Sequence, residues 1–277
     1  MFHERSTAEG MGGKMQRHWS HIVSVFVLAF VAASVVWAEE PGWVRRYDCR
    51  LKSGSIVVDG VGDEFAWQIA PEVGEFSRFK SVNYDGDDLT VPNRTTVKML
   101  WDEDNLYFLI AVEDPDIWST MTAGDKDCLC KEETVEIFID PDGDAVNYAE
   151  IHLNCLNTKN DLCIPQKLGT VTVDWDQAYA WTLEGMQYGV MNYGTVNNRT
   201  DIDNGSVFEI AMPWKGFGKV AGSMNIPPRP GDVWRININR YERPTREGED
   251  LSGWAPLERG SFHVPERFGY VRFVDSR

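Results

Sequence analysis

Glu133-Thr-Val-Glu-Ile-Phe-Ile-Asp140 places Val135, Ile137 and Ile139 on one side of an extended chain and Glu136, Phe138 and Asp140 on the other. A period of two belongs to a strand, whose successive side chains point to opposite faces. Working outward, the same period returns. Downstream, Ile151, Leu153 and Cys155 alternate with Glu150, His152 and Asn154, and Trp234, Ile236 and Ile238 alternate with Arg235, Asn237 and Asn239. Upstream, Val97, Met99 and Trp101 lead through the turn Asp102–Asn105 into LYFLIAV. Val207–Met212 and Phe268–Val274 add two further runs, and Asp-Gly, Asn-Gly and Pro-Gly pairs separate the set. Asp63–Ile69 and Pro213–Phe217 read as short helical turns at strand ends. Many short strands with few helices predict an all-β protein, an antiparallel, jelly-roll-like β-sandwich.

Residues 1–38 stand apart from that pattern. Ile22–Trp37 carries no charge, Arg17 precedes it, and Val36-Trp37-Ala38 ends it with small residues at the positions that guide cleavage. Sixteen apolar residues fall short of the about 20 that a spanning helix needs. The layout is therefore that of a signal peptide cut after Ala38, and the expected product is secreted or periplasmic with no membrane insertion. No cysteine follows before Cys49, which argues against a lipid anchor. The remaining residues 39–277 suffice for one sizeable core and are expected to form one domain.

The whole chain has 27 Lys+Arg against 43 Asp+Glu, a net charge of −16, and only two of its five histidines, His152 and His263, lie beyond residue 38. An acidic surface repels phosphate backbones and anionic lipid, which excludes nucleic-acid and membrane partners as expectations. Two histidines leave no histidine-based catalytic zinc site and no Ser/His/Asp set, and no glycine-rich phosphate loop is present. Five cysteines, Cys49, Cys128, Cys130, Cys155 and Cys163, leave at least one thiol free. Cys128-x-Cys130 lacks the spacing of a redox or zinc motif. A hairpin turn at Asn157–Asn160 would set Cys155 opposite Leu162, so no Cys155–Cys163 bridge is expected.

The second faces of the strands carry the chemistry. Glu136, His152, Asn154, Asn237 and Asn239 would converge on one surface if the strands neighbour each other. Carboxylate, imidazole and amide groups match the adjacent hydroxyls of a sugar, and an aromatic ring would cover its apolar C–H face. An ordinary solvated sheet face is the plain alternative.

Six segments in order are similar to carbohydrate-binding module family 9, the modules attached to bacterial xylanases, and its stand-alone relatives: Ile56–Gly60 with Asp63, Glu64 and Trp67; Val97–Val112; Glu133–Asp140; Tyr148–Asn157; Phe208–Phe217; and Phe262–Phe273. The resemblance implies a sandwich that binds glucose, xylose or their oligomers, with structural calcium, and that acts beside glycoside hydrolases. It assigns the acidic hydrogen-bonder to Glu136, the basic and amide partners to His152 and Asn154, and one stacking ring to Phe262. The family's second stacking tryptophan falls on Cys130, so Trp118 or Trp254 would have to replace it, and an arginine falls on His152. Arg259 completes the candidate ligand-binding set. On this reading Phe262→Ala weakens glycan binding and leaves the fold intact.

Asp140-Pro-Asp-Gly-Asp144 presents Asp140, Asp142 and Asp144 at alternate turn positions, a spacing that suits calcium or a solvated hairpin turn. A glycoside hydrolase needs two carboxylates across a cleft, and no such pair is legible, so no enzyme activity is expected. A sandwich holding b-type haem is the other alternative, with His152 or His263 and Met99, Met121 or Met212 as axial ligands.

Overall fold

The computed structural model describes residues 44–80, 86–124, 128–165, 172–243, 249–257 and 261–275. The unit spanning Glu40–Arg277 contains all of them, while Met1–Glu39, and with it the expected signal peptide, lies outside the described residues.

The alternating runs are strands. In chain order they are β1 (Arg46–Leu51), β2 (Ser77–Arg78), β3 (Thr95–Trp101), β4 (Asn105–Val112), β5 (Thr134–Asp140), β6 (Tyr148–Leu153), β7 (Lys159–Ile164), β8 (Gln187–Asn192), β9 (Ser206–Pro213), β10 (Val233–Glu242), β11 (Asp250–Gly253) and β12 (Gly269–Val274). Among the described residues, two helices, α1 (Phe65–Ile69) and α2 (Trp175–Tyr179), and single 3-10 turns such as Trp214–Phe217 lie between them. The hydrogen-bonded order is β7-β6-β5-β10-β12-β1-β3-β4-β9-β8, with β11 added to β10 and β2 to β11. Pairing is antiparallel except at β1, which runs parallel to both β12 and β3.

Side chains from both ends of that order share one interior. Val97, Ile110 and Phe208 from β3, β4 and β9 join Ile137, Ile151 and Ile238 from β5, β6 and β10 in one cluster. The sheet therefore curls over on itself as a sandwich, which removes most of the apolar surface from water. Trp234, fully buried, anchors it against Trp214, Phe217 and Phe273 in edge-to-face contacts.

The outer faces are covered too. On the β3–β4–β9 side, α1 lays Ala66 and Trp67 over Leu100, Tyr107 and Ala211. The buried Glu209 carboxylate pins this cover: it accepts from the Asp59 and Gly60 amides (both 3.1 Å) and from the Trp67 indole (2.7 Å). Gly60 has φ +88°, and a Cβ there would sit 2.8 Å from the Val190 backbone, so only glycine fits. On the β5–β6–β10 side a second cluster, including Phe138, Tyr148, Leu162, Leu257, Phe262 and Phe268, covers the face expected to be open.

Candidate functional site

The register brings the expected polar residues together. Glu136 on β5 stands opposite His152 on β6 and opposite Asn239 on β10, and Phe138 stands opposite Glu150 and Asn237. All of these belong to the face opposite the main core, as the alternation requires. His152 lies at the centre. Its Nδ1 is 3.3 Å from Glu136 Oε1, and its Nε2 is 2.6 Å from Glu150 Oε1. Asn237 donates to Asn239 Oδ1 (2.9 Å) and accepts from the Ala255 amide (2.8 Å). His263 approaches from the C-terminal segment, with Nδ1 2.9 Å from the Tyr148 hydroxyl and Nε2 3.8 Å from Glu150 Oε2.

Burial sets the charges in this cluster. It pushes Glu136 up to about 8, with Glu150 adding to the rise and His152 opposing it. Burial alone would lower His152, but the Glu136 and Glu150 carboxylates hold it up, at about 8. Burial likewise works to raise Glu150, yet the imidazoles of His263 and His152 bring it below its ordinary value. The cluster is a Glu150–His152–Glu136 chain that shares protons and can donate and accept at several points. Three of its buried atoms, His152 Nδ1, Asn239 Nδ2 and Glu150 Oε2, have no hydrogen-bond partner among the described residues. Buried polar groups are normally paired, so these mark where a polar ligand would engage.

Other expectations need correcting. The cluster is not an open dish: Glu136 is 2 %, His152 1 % and Asn239 0 % exposed. Phe262, at 2 % exposure, is a core ring and not a stacking platform. It meets Phe79 at 4.8 Å and Tyr241 at 4.9 Å, both edge-on, and Phe138 at 6.4 Å. The reason is Phe138, an apolar ring in the middle of a polar face, which draws the C-terminal segment down to cover it. Trp254 is fully buried in the main core and donates to the Val73 carbonyl (2.7 Å). Trp118 is also buried, its indole donating to the Arg243 carbonyl (3.3 Å). Asn154 is spent on local structure. Its Oδ1 accepts from Leu156 and Thr158, and its Nδ2 donates to Ser119 and Met121. That closes the β6–β7 turn earlier than expected, so Leu162 stands opposite Glu150, not Cys155, and Cys155 and Cys163 remain free buried thiols. Cys128 and Cys130 form a disulfide. Arg259 lies outside the described residues.

Glu150, which pairs with His152, and His263, which approaches Glu150, are members of the cluster that the candidate set lacked. The spacing of Glu150 and His152, two apart on one strand, was the available signal. Three of the alternative haem ligands, Met99, Met212 and His152, are poorly placed. Met99 and Met212 sit in the main core on the other side of the β5–β6 sheet, and both His152 ring nitrogens face carboxylates.

Asp140, Asp142 and Asp144 do come together, each with a carboxylate oxygen within 4.8 Å of the others. Asp140 is buried and accepts from the Gly143 (3.1 Å) and Ala145 (3.0 Å) amides. Burial and the two neighbouring carboxylates push it up to about 6.

The sequence model of the family described as carbohydrate family 9 binding domain-like matches residues 58–276. Two curated relatives, the endo-1,4-beta-xylanases A of Thermotoga neapolitana and Thermotoga maritima, are each 26% identical over 231 residues, 80% of this chain. The chain spans only 17% of the length of those proteins. Among solved structures, a carbohydrate binding module family 9 from Caldicellulosiruptor kristjanssonii in complex with cellotriose is similar with TM-score 0.53 and 18% identity, covering 84% of this chain and 95% of that one. Its complex with glucose gives TM-score 0.53 and 17% identity over 84% and 97%. A putative carbohydrate-binding protein from Bacteroides uniformis gives TM-score 0.56 and 14% identity over 83% and 99%. These likenesses show the sandwich fold.

Proposed function

We propose that this chain, which belongs to the carbohydrate family 9 binding domain-like family, is an exported, non-catalytic protein that binds gluco- or xylo-configured sugars or oligosaccharides. The observation that carries the reading is the set of unpartnered buried polar atoms grouped around Glu136. A sugar's adjacent hydroxyls, each a donor and an acceptor, would satisfy such a set. Glu136 would accept from one hydroxyl, His152 and Asn239 would engage its neighbours, and Asn237 would hold Asn239 in place. The solved neighbours that hold glucose and cellotriose support the ligand class, and the xylanase relatives support a role beside glycoside hydrolases. Glu136 and Glu150 are bridged by the His152 ring and do not flank a cleft, which favours binding over hydrolysis.

Because Glu136 and His152 are buried, ligand entry has to open their cover, and association is expected to level off at high sugar concentration. The test is a glycan array followed by calorimetry on the wild type and Glu136→Ala. Hydrogen bonds to charged groups contribute about 1.5–3 kcal/mol, so the variant should bind roughly tenfold or more weakly. Unchanged affinity would remove Glu136 from the site.

Export after cleavage at Ala38 and a structural calcium belong to the same proposal. Asp140, Asp142 and Asp144 supply an all-oxygen donor set of the kind a hard cation takes, and each Asp140 oxygen keeps a lone pair beyond its backbone bond. Calcium should raise the melting temperature of the wild type and leave Asp142→Asn with Asp144→Asn unmoved, as read by differential scanning fluorimetry with and without chelator.

A further inference from the structure

Cys128 Sγ, a carboxylate oxygen of Glu136 and a ring nitrogen of His152 lie within 4.8 Å of one another. Thiolate, imidazole and carboxylate together suit a borderline-soft ion, whereas hard cations favour oxygen-only sets. An independent observation points to the same place. His152 is 1 % exposed, yet its Nδ1, 3.3 Å from Glu136 Oε1, has no hydrogen-bond partner among the described residues. Its Nε2 faces Glu150 Oε1 at 2.6 Å. A carboxylate behind one ring nitrogen fixes the tautomer that presents the other nitrogen's lone pair, which is how imidazole ligands are held from behind in metal centres. The disulfide between Cys128 and Cys130 blocks the third donor.

We propose that Cys128, Glu136 and His152 form a thiol-gated site for a divalent transition metal of the zinc class. Opening needs a dithiol reductant. It passes two electrons and two protons to the Cys128–Cys130 bond, which becomes two thiols, while the reductant closes to its own disulfide. The metal then displaces to solvent the Cys128 thiol proton and the protons held at His152 Nδ1 and Glu136, and takes the thiolate, the imidazole and the carboxylate. Three protein donors leave one tetrahedral position for water or another ligand. The site shares Glu136 and His152 with the sugar reading but does not rest on it, because its readout is metal binding and not glycan affinity.

Co2+ titration followed by absorbance tests it, since thiolate ligation gives Co2+ a charge-transfer band that oxygen and nitrogen donors do not. Protein reduced with a dithiol, then freed of it under argon, should bind one Co2+ with that band, displaceable by Zn2+, and oxidised protein should not. Cys130→Ser leaves the Cys128 thiol free and should bind without reductant. Cys128→Ser should lack the band in either state. Glu150→Gln should weaken binding by roughly 10–100-fold, as losses behind a ligand usually do. If Cys130→Ser fails to fold, reduced wild type against reduced Cys128→Ser gives the same comparison. A band that survives in Cys128→Ser, or reduced protein that binds no better than that variant, overturns the proposal.

Discussion

Phe262 illustrates how a single side chain can change the meaning of a face. Three aromatic rings hold it edge-on, and it shares their cluster with Leu251, Leu257 and Phe268. Truncating a buried phenylalanine costs about 3–5 kcal/mol through lost burial and the cavity left behind. Phe262→Ala should therefore lower stability by that order in urea unfolding, and a variant as stable as wild type would mean that the ring is not buried. At this scale the sequence sorted side chains correctly. Glu136, His152, Asn237 and Asn239 were legible as one face because a strand's alternation is local. Whether that face met water was not legible, because the answer depends on Phe79 and Phe262, far away in the chain. Phe138 was the clue, since a ring that size among polar neighbours needs a cover.

Among the elements, the segment from Asp59 to Trp67 is held chiefly by one carboxylate on β9. Removing it leaves two amides and an indole without an acceptor, and an unsatisfied buried donor costs about 1–3 kcal/mol. Glu209→Ala should be strongly destabilising, whereas exposed Glu103→Ala should stay within about 0.5 kcal/mol. Equal effects in a denaturant series would refute the lock. The two motifs involved were visible in the sequence as a likeness, but their mutual contact was not. β3, β4, β5, β6, β9, β10 and β12 were readable from period and turns. β1, RYDCRL, alternates as cleanly, with Tyr47 and Cys49 inward, but its parallel neighbours are set by tertiary packing that no local pattern records. The β6–β7 turn was misplaced because Asn154 builds it with its own side chain, a competition that short amides often win at turns.

For the molecule as a whole, acidity dominates the pH response. Glu133, Asp114 and Glu242 place carboxylate oxygens within 4.8 Å of one another in the interior. Burial first, then Asp114 and Glu242, push Glu133 up to about 10, and burial takes Glu242 to about 7 against the pull of Arg240. The ordinary value for both is 4.5. Below it, folded and unfolded chains both keep the proton. Above it the unfolded chain loses the proton while the folded one retains it, so stability declines as pH rises, through about 7 for Glu242 and about 10 for Glu133. Glu150, whose value lies below the ordinary one, works the other way under acid conditions. The melting temperature should be higher at pH 5.5 than at pH 8.5, and Glu133→Gln should flatten the slope. A rising profile over that range would contradict the buried acidic cluster. The parallel strand β1 carries a different consequence. One of its two partners, β12, is made more than two hundred residues after it. Until that later strand emerges, β1 has an unpaired side, and the nascent polypeptide must wait for it before the seam can zip.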